Sequence, residues 1–271
     1  MKLSIVLSTQ PAQFQAATFK GDLETNLAEI ASLGYDGVEL AIRDPKLIDL
    51  ELLDGLVQAH SLSVPAIGTG QAWGEEGLSF TDPDPGIRSA AIERIKSHIP
   101  VASHFRAVII IGLLRGIVKP SVDHAQAMDW LVEALRECSA AALPCNVRLA
   151  LEPINRYETT LINNATEGLD LIERVGADNF GLLLDTFHMN IEEADIGASI
   201  RACGERIFHF HVADSNRWYP GAGHLDFSSI LKALSIVDYK GWVSGEFLPI
   251  PSAEIGAKEN ILYLKEIRKG I

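Results

Sequence analysis

The sequence predicts a single (β/α)8 barrel, in which eight parallel strands alternate with eight helices. Three observations support this prediction: the number of strand-like runs, their even spacing, and the amphipathic segments between them. Runs rich in Val, Ile and Leu recur eight times, and such near-continuous apolar runs suit parallel strands buried on both faces. The runs are Leu3–Leu7, Gly37–Ile42, Val64–Gly68, Ala107–Gly112, Arg148–Pro153, Phe180–Asp185, Ile207–Asp214 and Trp242–Leu248.

The spacing of these runs matches a repeated strand–helix unit. Their first residues are on average about 34 residues apart, which is the length of a βαβ unit. The chain of 271 residues has no Pro-, Gly- or Ser-rich linker, so we expect one domain over residues 1–271. A doubly wound sheet is the main alternative, but no run is followed by a Gly-x-Gly-x-x-Gly fingerprint.

The segments between the runs carry helix signals. Asp22 opens an apolar pattern with a period of 3.6 residues, and the pattern stops at Gly34. Further helices are predicted over Ser121–Ala142, Gly168–Val175 and Gly256–Lys269, and from Asp226 or Ser228 to before Tyr239.

Charge and composition narrow the class of function. A net charge of −13 argues against a nucleic-acid partner, because binding to phosphates requires a concentrated basic face. The longest apolar run, Ala107–Leu114, is far shorter than the roughly 18 residues that span a bilayer, and the N-terminal LSIVL is too short for a signal peptide. Cys138, Cys145 and Cys203 are an odd number without a CxxC pair, which is typical of reduced thiols. We therefore expect a cytoplasmic protein with no membrane partner.

Acidic and imidazole side chains stand near the ends of the last four runs. They are Glu152, Asp185, His211 and Glu246. Active sites of barrels form at the carboxyl ends of the strands, and burying three carboxylates there is costly without a cation. Three carboxylates and one imidazole favour Mn²⁺, Mg²⁺ or Co²⁺ over a thiolate zinc site. The alternative is that each residue caps a loop or pairs with an arginine.

The loops after these runs hold candidate substrate-binding residues. Glu158, His188 and Arg217 offer the hydrogen-bond donors and acceptors that a polyhydroxylated substrate requires. Trp73 is a candidate wall for the apolar face of a sugar, and the alternative is that it packs within its loop.

Other residues near the predicted mouth have less definite roles. Trp218 and Phe247 are further candidate walls, and Arg115 is a candidate cation near the mouth. His209 shares its strand face with His211 because side chains alternate along a strand, and we interpret it as a hydrogen-bonded core histidine.

The two glutamates predict a reaction. Glu152 and Glu246 stand on the fifth and eighth runs, so they face each other across the mouth of an eight-strand ring. Opposed carboxylates suit inversion at a carbon beside a carbonyl: one removes a proton from one face and the other returns a proton to the opposite face. A cation would stabilise the enediolate as a Lewis acid. An aldose–ketose isomerase needs only one such base.

Four stretches resemble a known family. EPINRYET, LLLDTFHMNIEEADIG, HFHVADSNRWYPGAGHLDF and GEF, in order from about residue 150 to 250, resemble the D-tagatose 3-epimerase group of ketose 3-epimerases, within the xylose-isomerase-like TIM barrels. The earlier KGDLE, IRDP, IGTGQAW and IIIGLLRG resemble a sub-branch that includes a keto-gluconate epimerase.

The resemblance implies a cofactor, site residues and an assembly. It implies one divalent metal ion, with Mn²⁺ first and Co²⁺ or Mg²⁺ as alternatives, and a dimer or tetramer. The implied metal ligands are Glu152, Asp185, His211 and Glu246. Glu152 and Glu246 are also the implied acid/base pair. The residues implied to hold the sugar oxygens around C1 to C3 are Glu158, His188 and Arg217.

The expected function is that of an isomerase: a metal-dependent epimerase that inverts C3 of a free ketose or keto-sugar acid, of the D-tagatose, D-psicose, L-ribulose or 5-keto-L-gluconate type. An aldose–ketose isomerase or a dehydratase on the same barrel is the first alternative. An endonuclease-IV-like repair enzyme would need more ligands on the early strands, where Glu39 is the one clear candidate. A non-catalytic sugar-binding barrel is the last alternative.

Overall fold

The computed structural model is a closed barrel of parallel strands with helices packed around it. It describes residues 1–270, so Ile271, the last residue of the expected domain, lies outside the described residues. The strands are β1 (Lys2–Ser8), β2 (Phe19–Lys20), β3 (Gly37–Ala41), β4 (Ala66–Gly68), β5 (Val108–Ile111), β6 (Leu149–Leu151), β7 (Phe180–Asp185), β8 (Ile207–Val212) and β9 (Trp242–Gly245). The barrel follows chain order from β3 to β9, and β1 closes it by pairing with both β3 and β9. The predicted (β/α)8 barrel is confirmed, and β2 is a two-residue addition beside β1.

Ten α-helices lie within the described residues, where the sequence predicted eight. They are α1 (Leu23–Ser32), α2 (Leu50–Ala59), α3 (Gln71–Glu76), α4 (Pro85–Phe105), α5 (His124–Ala142), α6 (Ala165–Val175), α7 (Thr186–Glu192), α8 (Ile196–Cys203), α9 (Phe227–Ile236) and α10 (Ala253–Arg268). The predicted number was wrong because α3 and α7 are short helices in the loops after β4 and β7, and neither is long enough to show a helical repeat.

The helices begin at the side-chain caps that the sequence offers. Asp22 accepts a hydrogen bond from the backbone N–H of Thr25, and Asp226 accepts one from the backbone N–H of Ser229. Such caps satisfy N–H groups that have no partner within the first helical turn.

Alternation along the strands decides which side chains enter the barrel. Ala66, Val108, Ile110, Ala150 and Leu183 form a small apolar cluster that is separate from the main core. The neighbouring positions Ile109 and Ile111 belong instead to the large core that also includes residues of the helices. Side chains alternate along a strand with a period of two. Glu152 and Asp185, two residues beyond Ala150 and Leu183, therefore also face inward, at the carboxyl end of the barrel.

None of the helices within residues 1–270 is long and apolar enough to cross a bilayer. The three cysteines are unpaired, with Cys138 and Cys203 buried and Cys145 exposed.

Candidate metal centre and active site

Four predicted ligands converge at the carboxyl end of the barrel. Glu152 follows β6, Asp185 ends β7, His211 lies on β8 and Glu246 follows β9. One ligand atom from each lies within 4.8 Å of the others. The Nδ1 atom of His211 lies 3.9 Å from Oε1 of Glu152, 3.8 Å from Oδ2 of Asp185 and 3.7 Å from Oε2 of Glu246. The four side chains therefore surround one point.

Three of these atoms are buried without a hydrogen-bond partner. They are Oε1 of Glu152, Oδ2 of Asp185 and Nδ1 of His211. Buried polar atoms in proteins are nearly always hydrogen-bonded, so three unpaired ligand atoms aimed at one point need an explanation. A divalent cation would bind all three together, and the donor set of oxygen and imidazole nitrogen fits one.

The position of Asp185 explains why one of its oxygens is free. It is the last residue of β7 and the N-cap of α7, where Oδ1 accepts a hydrogen bond of 2.7 Å from the backbone N–H of Phe187. This bond orients the carboxylate and leaves Oδ2 facing His211. Asp185 and His211 are also paired in the register between β7 and β8.

A carboxylate on β3 orients His211 from the opposite side. The Nε2–H of His211 donates to Glu39, with 3.0 Å to each carboxylate oxygen, and the Nε2–H of His209 donates to the same carboxylate at 2.8 Å. Burial raises the pKa of Glu39, but the two imidazoles outweigh burial and hold it well below its usual value. Burial lowers the pKa of His211, but the charges of Glu39 and Glu246 outweigh burial and raise it well above its usual value. Without a cation the ring therefore also carries a proton on Nδ1, which faces the three carboxylates, and a bound cation would take the place of that proton. His209 is thus confirmed as a hydrogen-bonded core histidine, and the role of Glu39 was missed.

The cluster of acids is electrostatically unfavourable without a cation. Burial and the nearby charge of Glu246 raise the pKa of Glu152 well above its usual value. Burial, in spite of the charges of His211 and Arg217, raises the pKa of Glu246 to about 7. Burial also acts to raise the pKa of Asp185, but the neighbouring histidines and Arg217 lower it to about 2. Like charges held this close resist joint ionisation, and a bound cation would remove that penalty.

Three of the four predicted substrate-binding residues, Glu158, His188 and Arg217, lie beside these ligands. The guanidinium of Arg217 donates to Oε1 of Glu158 at 3.3 Å and to Oε2 of Glu246 at 3.2 Å, and it lies over the ring of Phe187 at 4.7 Å. The Nε2 atom of His188 lies 3.6 Å from Oε1 of Glu152. Burial lowers the pKa of His188 to about 3, so its imidazole is neutral.

A buried aspartate shapes the loop that carries Arg217. The carboxylate of Asp214 accepts hydrogen bonds from the backbone N–H groups of Ser215 at 2.7 Å, Gly221 at 2.9 Å and Leu225 at 3.1 Å. These bonds hold the loop after β8 in a closed turn in which Arg217 adopts a positive φ of 60°. The sequence offered no signal for this role beyond an acidic residue that follows a strand.

A cavity of about 380 Å³ opens beside the four ligands. From the second half of the barrel it is lined by Glu152, Glu158, His188, His211, Arg217 and Glu246. From the first half it is lined by residues that include Gln13, Phe14, Glu39, Thr69, Gln71 and Trp73. The cavity volume lies within the range of small-molecule sites. Among the described lining residues, Arg217 is the one arginine or lysine.

Two of the three candidate aromatic walls were wrong. Trp73 lines the cavity, but Trp218 does not, and Phe247 is fully buried in the core. Phe14 lines the cavity instead, from the loop after β1, where no periodic pattern distinguishes a wall residue from any other loop residue.

Arg115 is not a cation at the mouth, contrary to the sequence-based interpretation. Its side chain is fully buried and donates to backbone carbonyl oxygens. These belong to Gly112, Glu152, Leu161 and Ile162. The arginine therefore connects the loop after β5 to the loop after β6 and lies behind the site.

Known proteins resemble this chain over nearly its whole length. Residues 27–267 match the model of the xylose isomerase-like TIM barrel family. A D-psicose 3-epimerase of Enterocloster bolteae is 38% identical, over 88% of this chain and 80% of its own. A D-psicose 3-epimerase of Ruminiclostridium cellulolyticum is 31% identical, over 93% and 86%. The crystal structure of D-psicose 3-epimerase with D-tagatose from Clostridium cellulolyticum H10 superposes with a TM-score of 0.85 at 25% identity, over 98% of this chain and 99% of that one.

The chain belongs to the xylose-isomerase-like TIM barrel family. Within that family it belongs with the ketose 3-epimerases, because relatives above 30% identity cover most of its length. The family resemblance inferred from the sequence is confirmed.

Proposed function

We propose that this protein is a divalent-metal-dependent epimerase that inverts C3 of a free ketose or keto-sugar acid. The observation that carries the proposal is the convergence of Glu152, Asp185, His211 and Glu246, three of them with a buried unpaired atom, at one end of a cavity of sugar size. Membership among the ketose 3-epimerases supports the reaction class.

The donor set supports the choice of metal. Three carboxylates and one imidazole favour Mn²⁺ or Co²⁺, with Mg²⁺ as a further candidate, over metals that prefer thiolates. When bound, the cation supplies Lewis-acid stabilisation of the negative charge that develops on the substrate oxygens.

In this proposal Glu152 and Glu246 move the proton at C3. One carboxylate takes the proton from C3 as the C–H bond breaks, and the other, protonated, delivers a proton to the opposite face as the new C–H bond forms. The pair exchanges protonation states in each turnover and resets with solvent. Their ligand atoms lie within 4.8 Å of each other, which is close enough for both to reach one carbon.

The remaining polar groups hold the substrate in this proposal. Arg217 presents N–H donors beside Glu158 and Glu246, and His188 lies next to Glu152. In this position Glu158, His188 and Arg217 can contact the hydroxyl groups near the reacting carbon. Trp73 provides a flat wall on the other side of the cavity.

Incorporation of deuterium tests the proposal directly. Metal-loaded protein is incubated in D₂O with a panel of ketohexoses, ketopentoses and hexulosonates, and the position of deuterium is read by NMR. We expect deuterium at C3 of at least one substrate, together with its C3 epimer. Deuterium at C1 or C2 would assign an aldose–ketose isomerase instead, loss of water would assign a dehydratase, and no incorporation into any member would refute catalysis at C3.

The partner and the setting are part of the proposal. The cavity volume and the net charge of −13 support a small sugar rather than a nucleic acid. The three unpaired cysteines support a reducing cytoplasm, and the family resemblance supports a dimer or tetramer.

A further inference from the structure

The side chain of Asn155 connects two residues of the proposed substrate site. Its Nδ2 atom lies 2.8 Å from Nδ1 of His188 and 2.9 Å from Oε1 of Glu158. We propose that Asn155 is a positioning residue that fixes the neutral tautomer of His188, with the proton on Nε2 facing the cavity. The consequence for turnover rests on the proposed function, but the tautomer itself does not.

The orientation of the Asn155 amide follows from its other partners. Glu158 is paired with Arg217 and can only accept, so the atom that faces it is the NH₂ group. The backbone N–H of Tyr157 can only donate, and it donates to Oδ1 of Asn155 at 3.0 Å. Each end of the amide is therefore assigned by a partner other than the histidine.

This orientation determines the proton on His188. One hydrogen of the NH₂ group goes to Glu158, and the other goes to Nδ1 of His188, which must therefore carry a lone pair. The backbone N–H of Asn155 also points at the same Nδ1 atom, at 3.5 Å. Two donors face Nδ1, so the ring proton of the buried imidazole is on Nε2.

The Nε2–H of His188 then points at the reacting region. It lies 3.6 Å from Oε1 of Glu152, which is longer than a hydrogen bond and leaves the proton free to donate to a substrate oxygen. His211 has the opposite orientation, since Glu39 takes its Nε2–H and its Nδ1 atom faces the candidate metal ligands. His188 thus turns Nε2 toward the site, and His211 turns Nδ1 toward it.

The test measures the tautomer in metal-free protein by long-range ¹H–¹⁵N correlation, with the signals assigned by their loss in His188→Gln. A bare ring nitrogen and one that carries a proton have well-separated ¹⁵N shifts. In the native chain we expect a bare Nδ1 and a protonated Nε2. A proton on Nδ1 would overturn the inference, whatever the activity.

Two substitutions at Asn155 extend the test. Asn155→Asp replaces the donor with an acceptor of the same shape, so we expect a proton to appear on Nδ1 of His188 and kcat to fall about 100-fold. Asn155→Leu removes the donor, so we expect a mixture of tautomers and a smaller loss. An unchanged Nδ1 signal in Asn155→Asp would show that this residue does not control the ring.

Asn163→Asp is the matched control, because Asn163 lies in the same loop. Its Nδ2 donates to the backbone carbonyls of Ile154 and Thr159 and does not contact His188. The control disturbs the loop, and we expect the tautomer of His188 to stay native. If the tautomer of His188 shifted as much in Asn163→Asp as in Asn155→Asp, general disturbance of the loop would explain the change in tautomer and the inference would fail. A native tautomer without deuterium at C3 of any sugar would instead refute the proposed function alone.

Discussion

The two halves of the barrel contribute different kinds of residue to the cavity. The strands β6 to β9 and their loops supply the four metal-ligand candidates. All of these except Asp185 line the cavity, together with Glu158, His188 and Arg217. The strands β1 and β3 to β5 and their loops supply wall residues such as Phe14 and Trp73. The candidate metal ligands and the aromatic walls of the site are therefore encoded in separate parts of the chain.

One residue crosses this division. Glu39 belongs to the first half, yet its carboxylate is hydrogen-bonded to His209 and His211 on β8. The first half thus supports the candidate metal centre from behind and also forms part of the wall of the cavity. Substitutions in the two halves should therefore separate turnover and metal affinity from substrate affinity.

The largest expected effect is the loss of proton transfer in the second half. Glu152→Gln or Glu246→Gln removes one member of the proposed acid/base pair, and we expect deuterium incorporation at C3 to fall about 100- to 10,000-fold. The far-UV circular dichroism should stay native, since Gln has nearly the same shape. Glu133→Gln, on the exposed surface of α5, is the matched control. Full turnover by either variant would refute a two-base inversion.

Metal removal should have the next largest effect. A cation bound by the folded state alone stabilises it by about 2.7 kcal/mol at 100 times its Kd, which corresponds to about 5–10 °C in Tm for a chain of this size. We expect chelation to lower the Tm by this amount and Mn²⁺ to restore it. Asp185→Asn should lose most of the response. A Tm that does not depend on metal would contradict a cation at this site.

Glu39→Gln tests the support from the first half. A glutamine amide carries no negative charge and has an NH₂ donor in place of one acceptor oxygen, so it holds the Nε2–H groups of His209 and His211 less strongly than the carboxylate does. We expect the affinity for Mn²⁺ to fall about 10- to 100-fold, as is typical when the partner of a metal-binding histidine is removed. Calorimetric titration of metal-free protein measures it, with Glu133→Gln for comparison. Unchanged affinity would remove Glu39 from the metal centre.

Asp214→Asn tests the loop that carries Arg217. Burial raises the pKa of Asp214, but the backbone N–H groups of the loop outweigh it and hold the pKa below its usual 3.8. The ionised form therefore stabilises the fold above about pH 4, and this contribution is lost as the pH falls through the lowered pKa. At pH 7 we expect the variant to be less stable by about 1–2 kcal/mol.

Urea unfolding at a series of pH values measures this difference. The difference in stability between the two chains should shrink as the pH falls below about 4 and through the lowered pKa of Asp214, because the native chain then loses the charge that the variant lacks. Asp123→Asn is the control, since the side chain of Asp123 caps no backbone N–H. A difference that does not change with pH would show that the charge of Asp214 does not hold the loop.

The smallest expected effect lies in the wall. Trp73→Ala removes a flat surface of the cavity without touching the ligands, so we expect KM to rise about threefold, which is under 1 kcal/mol, and kcat to stay nearly unchanged. Steady-state kinetics with the substrate found in the D₂O panel measures it. A large fall in kcat would contradict the division between the two halves.

Most of the barrel and the convergence of the four candidate ligands were predictable from the sequence because they depend on local pattern. Glu152, Asp185, His211 and Glu246 each end or nearly end an apolar run, and in a parallel barrel such ends meet at one rim. Trp73 was also found, from its position after the third run. The predictions for Arg115 and Phe247 were wrong because the apolar runs and the spacing between them do not show whether a long side chain turns toward a cavity or into the core.

The sequence alone determined the strand order, the alternation of side chains and the residues at the strand ends, since these follow from the local pattern of apolar and polar residues. Only the tertiary structure decided which hydrogen bonds join distant residues. Glu39 and His209 are 170 positions apart, and Asn155 and His188 are 33 apart. Folding of the barrel brings these partners within 3 Å of each other, and those contacts decide which group each ring nitrogen faces.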